Sequence, residues 1–471
     1  MSMRDLLDAQ RDAFMAELPV PIETRRDRLK RAIAMVSENA GKLCDALSED
    51  FGHRSREQSM ITDIAASVGP LDHALRHLKQ WSKPVRKPAM FPLGLLGGRA
   101  QIEYQPKGVV GIIAPWNFPV QLVMSPLAGV FAAGNRAMVK TSEYTPVVAA
   151  LMEELAGRYF APEELAFVGG GPDVGKAFAE LPFDHLLFTG ATGIGKHILH
   201  AAADNLTPVT LELGGKSPVV LGRSADIAQA AERVALGKML NAGQICLAPD
   251  YVLVPEEKEA ALVDGLVAAA SRMYPTLLTN PDYTAVINDR HYQRLTGWID
   301  DARAKGAEVI AVNPAGEDFA TSNSRKLPLH IVRNPTDDMM VMQEEIFGPI
   351  LPVRSYRTTE DAIGEVNRRD RPLALYYFGR DKAERRQVLD RTISGGATVN
   401  DVIFHVSQEE LPFGGIGPSG MGAYHGEIGF RTFSHAKAVY SQPRIDVAKL
   451  AGMKPPYGKA TQATIKRQMK G

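Results

Sequence analysis

The stretch Val109-Val110-Gly111-Ile112-Ile113-Ala114 is an apolar strand that runs into the loop Pro115-Trp116-Asn117-Phe118-Pro119. Four similar apolar segments follow, and glycine- or proline-bearing loops come after them. These segments are Ala137–Lys140, Leu165–Val168, His185–Thr189 and Val209–Leu213. Strands that alternate with helices predict right-handed βαβ units and a parallel sheet. Because ligands bind beyond the carboxyl ends of such strands, we expect a site among these loops.

A second alternating region runs from about Pro218 to Ser394. It contains a predicted helix at Ala260–Met273 and predicted strands at Val309–Val312 and Ile350–Val353. The two regions together indicate the α/β class. A length of 471 residues predicts two or three domains.

The flanking regions have other patterns. Residues 1–80 have apolar positions spaced by three and four, which predicts helices, and Cys44 lies on that stripe as an expected core thiol. The segment Lys83–Gly98 is rich in proline and glycine, which favours a loop or an extended arm. Ala100–Tyr104 alternates like an exposed strand, and Arg444–Gly471 is expected to be a surface tail. Five basic residues of the helical region are expected to form a solvated face: Arg25, Arg26, Arg28, Lys30 and Arg31.

The composition excludes several classes of protein. Lys plus Arg and Asp plus Glu each number 54, so no net charge attracts nucleic acid or an anionic membrane. The two cysteines, Cys44 and Cys246, cannot build a disulfide framework or a cysteine-based zinc site. No apolar run reaches the roughly 18 residues of a membrane span. With no signal-peptide pattern, the expected location is the cytoplasm.

Three residues carry groups that could act as a nucleophile, a base and an oxyanion donor. Cys246 follows the small residues of Asn241–Gln244, and a thiolate is a strong nucleophile. Glu212 lies between two leucines just before a glycine pair, where a partly apolar site would tune a carboxyl to act as a base. Asn117 could donate to an oxyanion. Taken singly, each keeps an ordinary interpretation: a core thiol, a helix-capping carboxylate and a turn asparagine.

Other polar residues carry weaker signals. Gly190–Gly195 departs from the usual G-x-G-x-x-G and alone predicts only a phosphate-binding or packing loop before a helix. No spacing of histidine and cysteine matches a metal site, so no metal is expected. His185, His200 and His291 are expected to be ordinary core or surface residues, and the pair Glu409-Glu410 is expected to be solvated.

Taken together and in order, the motifs resemble the NAD(P)-dependent aldehyde dehydrogenase superfamily from about residue 20 to 443. Seven strings carry this resemblance: Pro115–Pro119, Lys140–Glu143, Phe188–Gly190, Leu211–Pro218, Gly243–Cys246, Glu344–Pro349 and Pro412–Gly415. The endings Gly420–Gly426 and Thr432–His435 are similar to the branch that holds the class 3 enzymes. Within that branch, Glu49–Ser55, Pro182–Gly190 and Ala248–Pro255 are most similar to coniferyl aldehyde dehydrogenases.

The resemblance implies an architecture of three parts and a tail. A Rossmann-type NAD(P)-binding domain with a parallel sheet would comprise residues 1–85, 107–213 and 414–435. An α/β catalytic domain would comprise residues 214–413. Residues 86–106 and 436–445 would form a small β oligomerisation arm that meets near Ala438–Ser441, and 446–471 would be the tail. The arm implies a homodimer.

The resemblance also implies roles for individual residues. Cys246 would be the nucleophile, Glu212 the base, and Asn117 with the Cys246 backbone N–H the oxyanion hole. NAD, with NADP tolerated, would be held by Ile113, Trp116, Lys140, Glu143, Gly190, Thr192, Gly195, Glu345 and Phe347. Glu143 would repel the 2′-phosphate of NADP while Lys140 would attract it. The substrate pocket is expected to have Phe118, Leu122, Phe404 and His405 as walls.

These roles describe oxidation of an aldehyde to a carboxylic acid. Thiolate attack forms a thiohemiacetal, hydride loss leaves a thioester, and a carboxylate activates water to release the acid. The resemblance implies coniferyl aldehyde or a related aromatic aldehyde as substrate. A fatty or other medium-chain aldehyde is the alternative, and a non-catalytic binding or structural homologue is the alternative of another class. Glu212 argues against transfer of the thioester to coenzyme A.

Overall fold

The computed structural model describes residues 2–91 and 93–469, and these residues hold three β-sheets. Met1, Pro92, Lys470 and Gly471, which belong to the predicted cofactor domain, arm and tail, lie outside the described residues. In chain order the strands are β1 Val85–Lys87, β2 Arg99–Pro106, β3 Val109–Ile113, β4 Arg136–Lys140, β5 Leu165–Val168, β6 His185–Gly190, β7 Val209–Leu213, β8 Pro218–Leu221, β9 Tyr251–Pro255, β10 Glu308–Val312, β11 Leu329–Arg333, β12 Ile350–Tyr356, β13 Ala374–Phe378, β14 Gly396–Val399, β15 Gly420–Met421 and β16 Ser434–Ser441.

Helices connect and cover these strands. They are α1 Met3–Glu17, α2 Ile22–Ser37, α3 Ala40–Phe51, α4 Arg56–Ser59, α5 Ala66–Trp81, α6 Gln121–Ala133, α7 Pro146–Tyr159, α8 Pro172–Ala179, α9 Thr192–Asp204, α10 Ile227–Met239, α11 Glu259–Met273, α12 Asp289–Ala304, α13 Met340–Gln343, α14 Thr359–Asn367, α15 Lys382–Arg391, α16 Gly426–Thr432, α17 Val447–Leu450 and α18 Lys459–Gln468. None of the described helices is long and apolar enough to cross a membrane.

The first sheet has six strands in the order β15-β7-β6-β3-β4-β5. Strands β3 to β7 are parallel, and β15 pairs antiparallel with β7. The strand order reverses between β3 and β6, because β4 and β5 lie on one side of β3 while β6 and β7 lie on the other. A crevice forms at such a reversal beyond the carboxyl ends of the strands. The loops after β3 and β6 therefore border the expected ligand site, and the predicted parallel sheet is confirmed.

The second sheet has seven strands in the order β10-β11-β12-β9-β8-β13-β14. All pairs are parallel except β10 with β11. Its strands run from Pro218 to Val399, which matches the second alternating region of the sequence. The predicted helix and strands of that region are present as α11, β10 and β12.

The third sheet is antiparallel and joins β1, β2 and β16. Ile102 pairs with Ala438 and Arg99 with Ser441, so the two chain segments of the predicted arm meet. Within the segment expected to be a loop or an arm, Val85–Lys87 forms a short strand on β2. Most of β16 is exposed, which leaves a sheet edge open to solvent.

The solvated basic face expected in the N-terminal helices is partly wrong. Arg25 and Arg28 of α2 are buried. Arg28 lies 2.7 Å from Glu17 and 3.0 Å from Glu164, which lie on two other parts of the chain. Charge alone does not predict burial, because an arginine can leave water when distant carboxylates pair with it.

Candidate active site

The site lies where the loops after β3, β6 and β7 meet a loop that enters from the second sheet. The loop from the second sheet carries Cys246, and the loop after β3 carries Asn117. The side-chain amide of Asn117 donates to the carbonyl of Gln244, at 3.2 Å, two residues before Cys246. The structure thus brings together two predicted site residues that are 129 positions apart in sequence.

The loop before Cys246 has an unusual backbone. Asn241 and Ala242 both have φ of 51°, and Gly243 has φ of 72°. A Cβ on Gly243 would collide with the carbonyl of Gly348, so glycine is required there. Asn241 and Ala242, which are not glycines, are strained in the left-handed region, and surrounding contacts must stabilise them there.

Gln244 is one of the contacts that hold this loop. Its side-chain amide donates to the carbonyls of Asn241, at 3.0 Å, and Ala285, at 3.1 Å. Its Oε1 accepts from the N–H of Ile287 at 2.9 Å. On the other side of Cys246, the hydroxyl of Tyr376 donates to the carbonyl of Leu247 at 2.5 Å. The thiol is therefore presented on a backbone tied on both sides.

The Cys246 thiol is partly exposed and has a raised pKa. Burial is the largest cause, and the carboxyl groups of Glu345 and Glu212 raise the pKa further. The backbone N–H groups of Cys246 and Leu247 act in the opposite direction. The thiol is thus protonated at neutral pH, and attack on a carbonyl requires that this proton leave.

A buried ion pair positions Asn117. The guanidinium of Arg54 donates to the Asn117 carbonyl at 2.9 Å and to Asp63 at 2.6 Å. The other oxygen of Asp63 accepts from the N–H groups of Val120 and Gln121 at the start of α6. The amide of Asn117 carries two hydrogens and gives one to Gln244, so the second can serve an oxyanion.

Glu212 lies near the carboxyl end of β7, opposite Gly420 of β15. Its side chain is buried, and neither carboxylate oxygen has a hydrogen-bond partner among the described residues. Burial raises its pKa well above the ordinary value. Burial of this kind disfavours the charged form, so the ionised carboxylate is a stronger base toward water than an ordinary one.

The beginning of α9 faces the crevice at the strand reversal. Gly190 ends β6, and the helix begins at Thr192 without a side-chain cap, which leaves N–H groups of the first turn for a phosphate. A Cβ on Gly195 would lie 2.7 Å from Leu213, so this glycine allows α9 to pack closely on β7. The Thr192 hydroxyl donates to the carbonyl of Pro418 at 3.0 Å.

Glu345 and Phe347 approach the same crevice from the second sheet. A Cβ on Gly214 would collide with the Glu345 carboxylate, so the glycine pair after β7 makes room for it. Burial raises the pKa of Glu345 to about 8. Phe347 has φ of 47°, and its ring lies edge-on to Trp116 with centroids 5.2 Å apart. An acidic group and an aromatic wall beside an uncapped helix fit a dinucleotide that has a phosphate, a ribose and a flat ring.

The other predicted cofactor residues follow β3 and β4. Ile113 ends β3 and is half-buried. Lys140 ends β4, and its buried ammonium donates to the Thr141 carbonyl at 2.6 Å. Glu143, three residues later, is exposed. Burial lowers the pKa of Lys140, and the charge of Glu143 opposes this shift.

The four residues predicted for the substrate pocket occupy different surroundings. Phe118 and Leu122 are buried, and the Phe118 ring lies under the Arg54 guanidinium at 5.0 Å. Phe404 is exposed. His405 is half-buried, and its Nδ1 lies 2.9 Å from the Thr398 hydroxyl.

Sequence reasoning missed several supporting residues. Asp63 and Tyr376 had no signal, because their partners are distant in sequence, and Arg54 stood inside the quoted string Glu49–Ser55 without its contacts being predicted. Gln244 stood inside a quoted motif, yet its three side-chain hydrogen bonds were not predicted. Lys238 is fully buried on α10, and burial lowers its pKa to about 8. A lysine within the apolar pattern of that helix was the one available signal.

Comparison with known proteins gives one answer. A sequence model of the aldehyde dehydrogenase family matches residues 2–439. A protein of Caulobacter vibrioides named "Probable coniferyl aldehyde dehydrogenase" is 56% identical over 99% of this chain and 97% of its own length. The "Coniferyl aldehyde dehydrogenase" of Pseudomonas sp. strain HR199 is 54% identical over 98% and 94%. The solved structure titled "Substrate bound state of Staphylococcus Aureus AldH" has a TM-score of 0.92 and 34% identity, with all of both chains covered.

The matches cover nearly the whole chain, and the fold agrees over its full length with a solved relative. The resemblance predicted from the motifs is confirmed, and with it the α/β fold that combines a Rossmann-like part and a catalytic part. The chain belongs to the aldehyde dehydrogenase family, whose members oxidise aldehydes to carboxylic acids with NAD(P)+.

Proposed function

We propose that this enzyme oxidises coniferyl aldehyde or a closely related aromatic aldehyde with NAD, and that Cys246, Glu212 and Asn117 carry out the chemistry. The observation that carries the proposal is the convergence of these three residues. Asn117 is hydrogen-bonded to the loop that carries Cys246. The charge of the Glu212 carboxyl raises the pKa of the Cys246 thiol. The names of the two most similar relatives described above support the choice of substrate.

Cys246 begins the reaction. The Cys246 thiol gives its proton to water, and its sulfur forms a bond to the aldehyde carbon. The second hydrogen of the Asn117 amide and the Cys246 N–H stabilise the resulting alkoxide. Residues at α9, with Glu345, Phe347 and Trp116, would hold the dinucleotide, which when bound accepts the hydride of the aldehyde carbon. A thioester then remains on Cys246.

Glu212 completes the reaction. As a carboxylate it takes a proton from water, whose oxygen attacks the thioester carbon. The carbon–sulfur bond breaks, the carboxylic acid leaves and the thiolate returns. Because its pKa is raised, the ionised Glu212 is a stronger base than an ordinary carboxylate. Its burial limits the number of other water molecules around it.

We also propose a domain division, an assembly state and a location for this enzyme. The domain boundaries given above are supported at 106/107, 213/214 and 413/414, which fall between strands, whereas those at 85/86 and 435/436 fall within β1 and β16. The arm makes a homodimer, supported by the exposed edge of β16, since open edges pair readily. The enzyme works in the cytoplasm, supported by two free thiols, because a reducing compartment keeps thiols free.

Cys246→Ala tests the nucleophile. We expect no NADH formation above background, with unchanged NAD binding and unfolding temperature, while Cys44→Ala is the matched control and retains activity because Cys44 is a buried core thiol. Turnover in Cys246→Ala would contradict the assignment.

A substrate panel tests the specificity. Coniferyl aldehyde and cinnamaldehydes should exceed linear aldehydes of six to twelve carbons in kcat/KM. A tenfold advantage for the linear aldehydes would replace the aromatic assignment with a fatty-aldehyde enzyme.

A further inference from the structure

Two histidines lie on one face of α5. His73 and His77 are four residues apart in this helix, so their side chains are neighbours, and their ring centroids are 4.2 Å apart. Two imidazoles at this spacing can bind one metal ion, as the two histidines of an H-E-x-x-H helix do. Zinc sites in proteins take three or four protein ligands, so a third ligand from another part of the chain is needed.

Glu410, in the loop that leads into α16, supplies a third ligand. Its Oε1 lies 3.1 Å from Nε2 of His73. One ligand atom from each of His73, His77 and Glu410 lies within 4.8 Å of the other two, and no other group of three such residues occurs in the part of the chain that the structure describes. Ligand atoms about 2 Å from a tetrahedral zinc ion are roughly 3.3 Å apart. The observed spacing therefore lets the three side chains reach one ion by rotation alone.

The contact between His73 and Glu410 does not have the geometry of a hydrogen bond. Nε2 of His73 is buried and makes no hydrogen bond to the described residues, although the carboxylate oxygen of Glu410 is 3.1 Å away. A buried polar atom of this kind is rare in folded proteins, and a bound ion is one reason for it. The nitrogen and the oxygen are placed as two ligands of one cation would be.

The ring of His77 is held in the form that a metal requires. Its Nδ1 lies 2.9 Å from the carbonyl of His73. Because a carbonyl oxygen only accepts, Nδ1 carries the hydrogen, and the lone pair of the neutral ring is on Nε2. Metal-binding histidines commonly donate their second ring N–H in this way, which fixes the tautomer and the ring orientation. Trp81, one turn further along α5, stacks on the His77 ring with centroids 5.6 Å apart.

The surroundings allow a cation to enter. The side chain of Glu410 is 73% exposed, so it can turn toward an ion that arrives from solvent, whereas that of His73 is only 12% exposed. Arg76, the positive residue between the two histidines in sequence, is paired with Asp72 at 2.8 Å. Its charge is therefore partly neutralised by a carboxylate of the same helix.

The neighbouring acid, Glu409, is placed differently. The pair Glu409-Glu410 was expected to be solvated, and this is wrong for Glu409, because its Oε2 is buried. Glu409 lines a small cavity together with Tyr424 and His425. Glu410 is thus the carboxylate of this loop that is grouped with the histidines.

We propose that His73, His77 and Glu410 form a binding site for one zinc ion, which joins α5 to the loop that leads into α16. Two imidazoles and a carboxylate are ligands that zinc favours, and water would take the fourth position. The set suits other cations less well, because it has no sulfur for Cu⁺ and only one carboxylate for Mg²⁺ or Ca²⁺.

The site is separate from the proposed reaction, no step of which uses the ion. Its effect is on the folded chain, since an ion that binds only the folded state shifts the unfolding equilibrium toward it. The sequence predicted no metal, because the histidine pair shows two ligands at most and the third lies in a distant segment.

Zinc binding to the full-length enzyme tests the site. Cys246→Ala is the parent for these measurements, because a thiolate also binds zinc. We expect one Zn²⁺ per chain with micromolar affinity, measured by competition with a chromogenic chelator. His77→Gln and Glu410→Gln should each weaken binding roughly tenfold or more, because three ligands become two. Glu410→His, which keeps a ligand, should retain the parent affinity within a few-fold.

Two matched variants control for general effects. His200→Gln removes an exposed histidine of α9, and Glu427→Gln removes a partly exposed carboxylate of α16 that is paired with Arg431. Both should bind zinc as the parent does. Millimolar Mg²⁺ should not displace the zinc, because Mg²⁺ prefers oxygen ligands and gains little from two imidazoles.

Cobalt and unfolding report the ligands and the effect of the ion. With Co²⁺ the wild type should show visible d–d absorption without the near-ultraviolet band that a sulfur ligand produces. Zinc should raise the unfolding temperature of the parent and of Glu410→His, and it should leave that of Glu410→Gln unchanged.

Three results would overturn the site. The first is zinc binding by Glu410→Gln with the parent affinity, which is a sound test even if His77→Gln does not fold, because Glu410 is exposed. The second is a cobalt spectrum with a sulfur band that disappears in Cys246→Ala, which would place the metal on the nucleophile. The third is a parent that binds no zinc at micromolar concentration or loses it to millimolar Mg²⁺.

Discussion

At the scale of single residues, the reactivity of this site depends on the carboxyl groups near the Cys246 thiol. Burial sets the high pKa of Cys246, and Glu345 and Glu212 add to it. Both carboxyls are themselves shifted toward the protonated form by burial. The free enzyme therefore holds its nucleophile largely protonated.

Glu345→Gln should make the thiol more acidic. Glu345 has a pKa of about 8, so it is negative in the alkaline range where the thiol titrates. Removal of that charge should lower the midpoint of Cys246 alkylation by iodoacetamide by about one pH unit. The rate is followed against pH in a Cys44→Ala background. Glu344→Gln, next to it and exposed, is the control, and an equal shift in both variants would refute the charge effect.

Glu143→Gln should weaken the preference for NAD. If Glu143 faces the adenosine ribose, its carboxylate repels a 2′-phosphate, while Lys140 attracts it. We expect kcat/KM with NADP to rise roughly tenfold, with little change for NAD. The preference is measured as the ratio of kcat/KM for the two cofactors. A wild type that prefers NADP, or an unchanged ratio in the variant, would show that Glu143 is not the selector.

At the scale of elements, the loop after β3 depends on a buried ion pair. Arg54 and Asp63 are fully buried and join the Asn117 carbonyl to the start of α6. Burial raises the pKa of Asp63 and lowers that of Arg54, so each is kept ionised chiefly by the other.

Arg54→Met should therefore destabilise the protein by about 3–5 kcal/mol, because it leaves a buried carboxylate without its cation. Activity should fall as well, since the Asn117 carbonyl loses its donor. Addition of Asp63→Asn should recover much of the stability, because the amide oxygen still accepts from the N–H groups of α6. Urea unfolding measures both effects. A double variant no more stable than Arg54→Met would argue against an unpaired charge as the cause.

At the scale of the whole molecule, the arm is the surface on which assembly depends. Sheet β1-β2-β16 stands apart from the two parallel sheets in hydrogen bonding, and β16 is exposed. We expect light scattering at micromolar concentration to give twice the chain mass of 51.2 kDa. A mass of one chain at that concentration would exclude the dimer.

The sequence by itself determined the secondary structure and the motif residues. Apolar periodicity placed the five strands from Val109 to Leu213 within a residue of their observed bounds, because that pattern depends on local alternation of buried segments and loops. Cys246, Glu212 and Asn117 were singled out only when the motifs were taken together and in order, because each alone also fits an ordinary core thiol, capping carboxylate or turn asparagine.

Only the tertiary structure decided the environment of each charged group. Arg28 and Glu409 were expected in water, yet one is buried against Glu17 and Glu164 and the other turns toward a cavity. Burial depends on which distant segments pack together, and a carboxyl or guanidinium has the same local pattern in either setting. Contacts between parts of the chain that lie far apart in sequence decide three features of the site. These are the raised pKa of Glu212, the hydrogen bond from Arg54 to the Asn117 carbonyl and the cavity beside Tyr424.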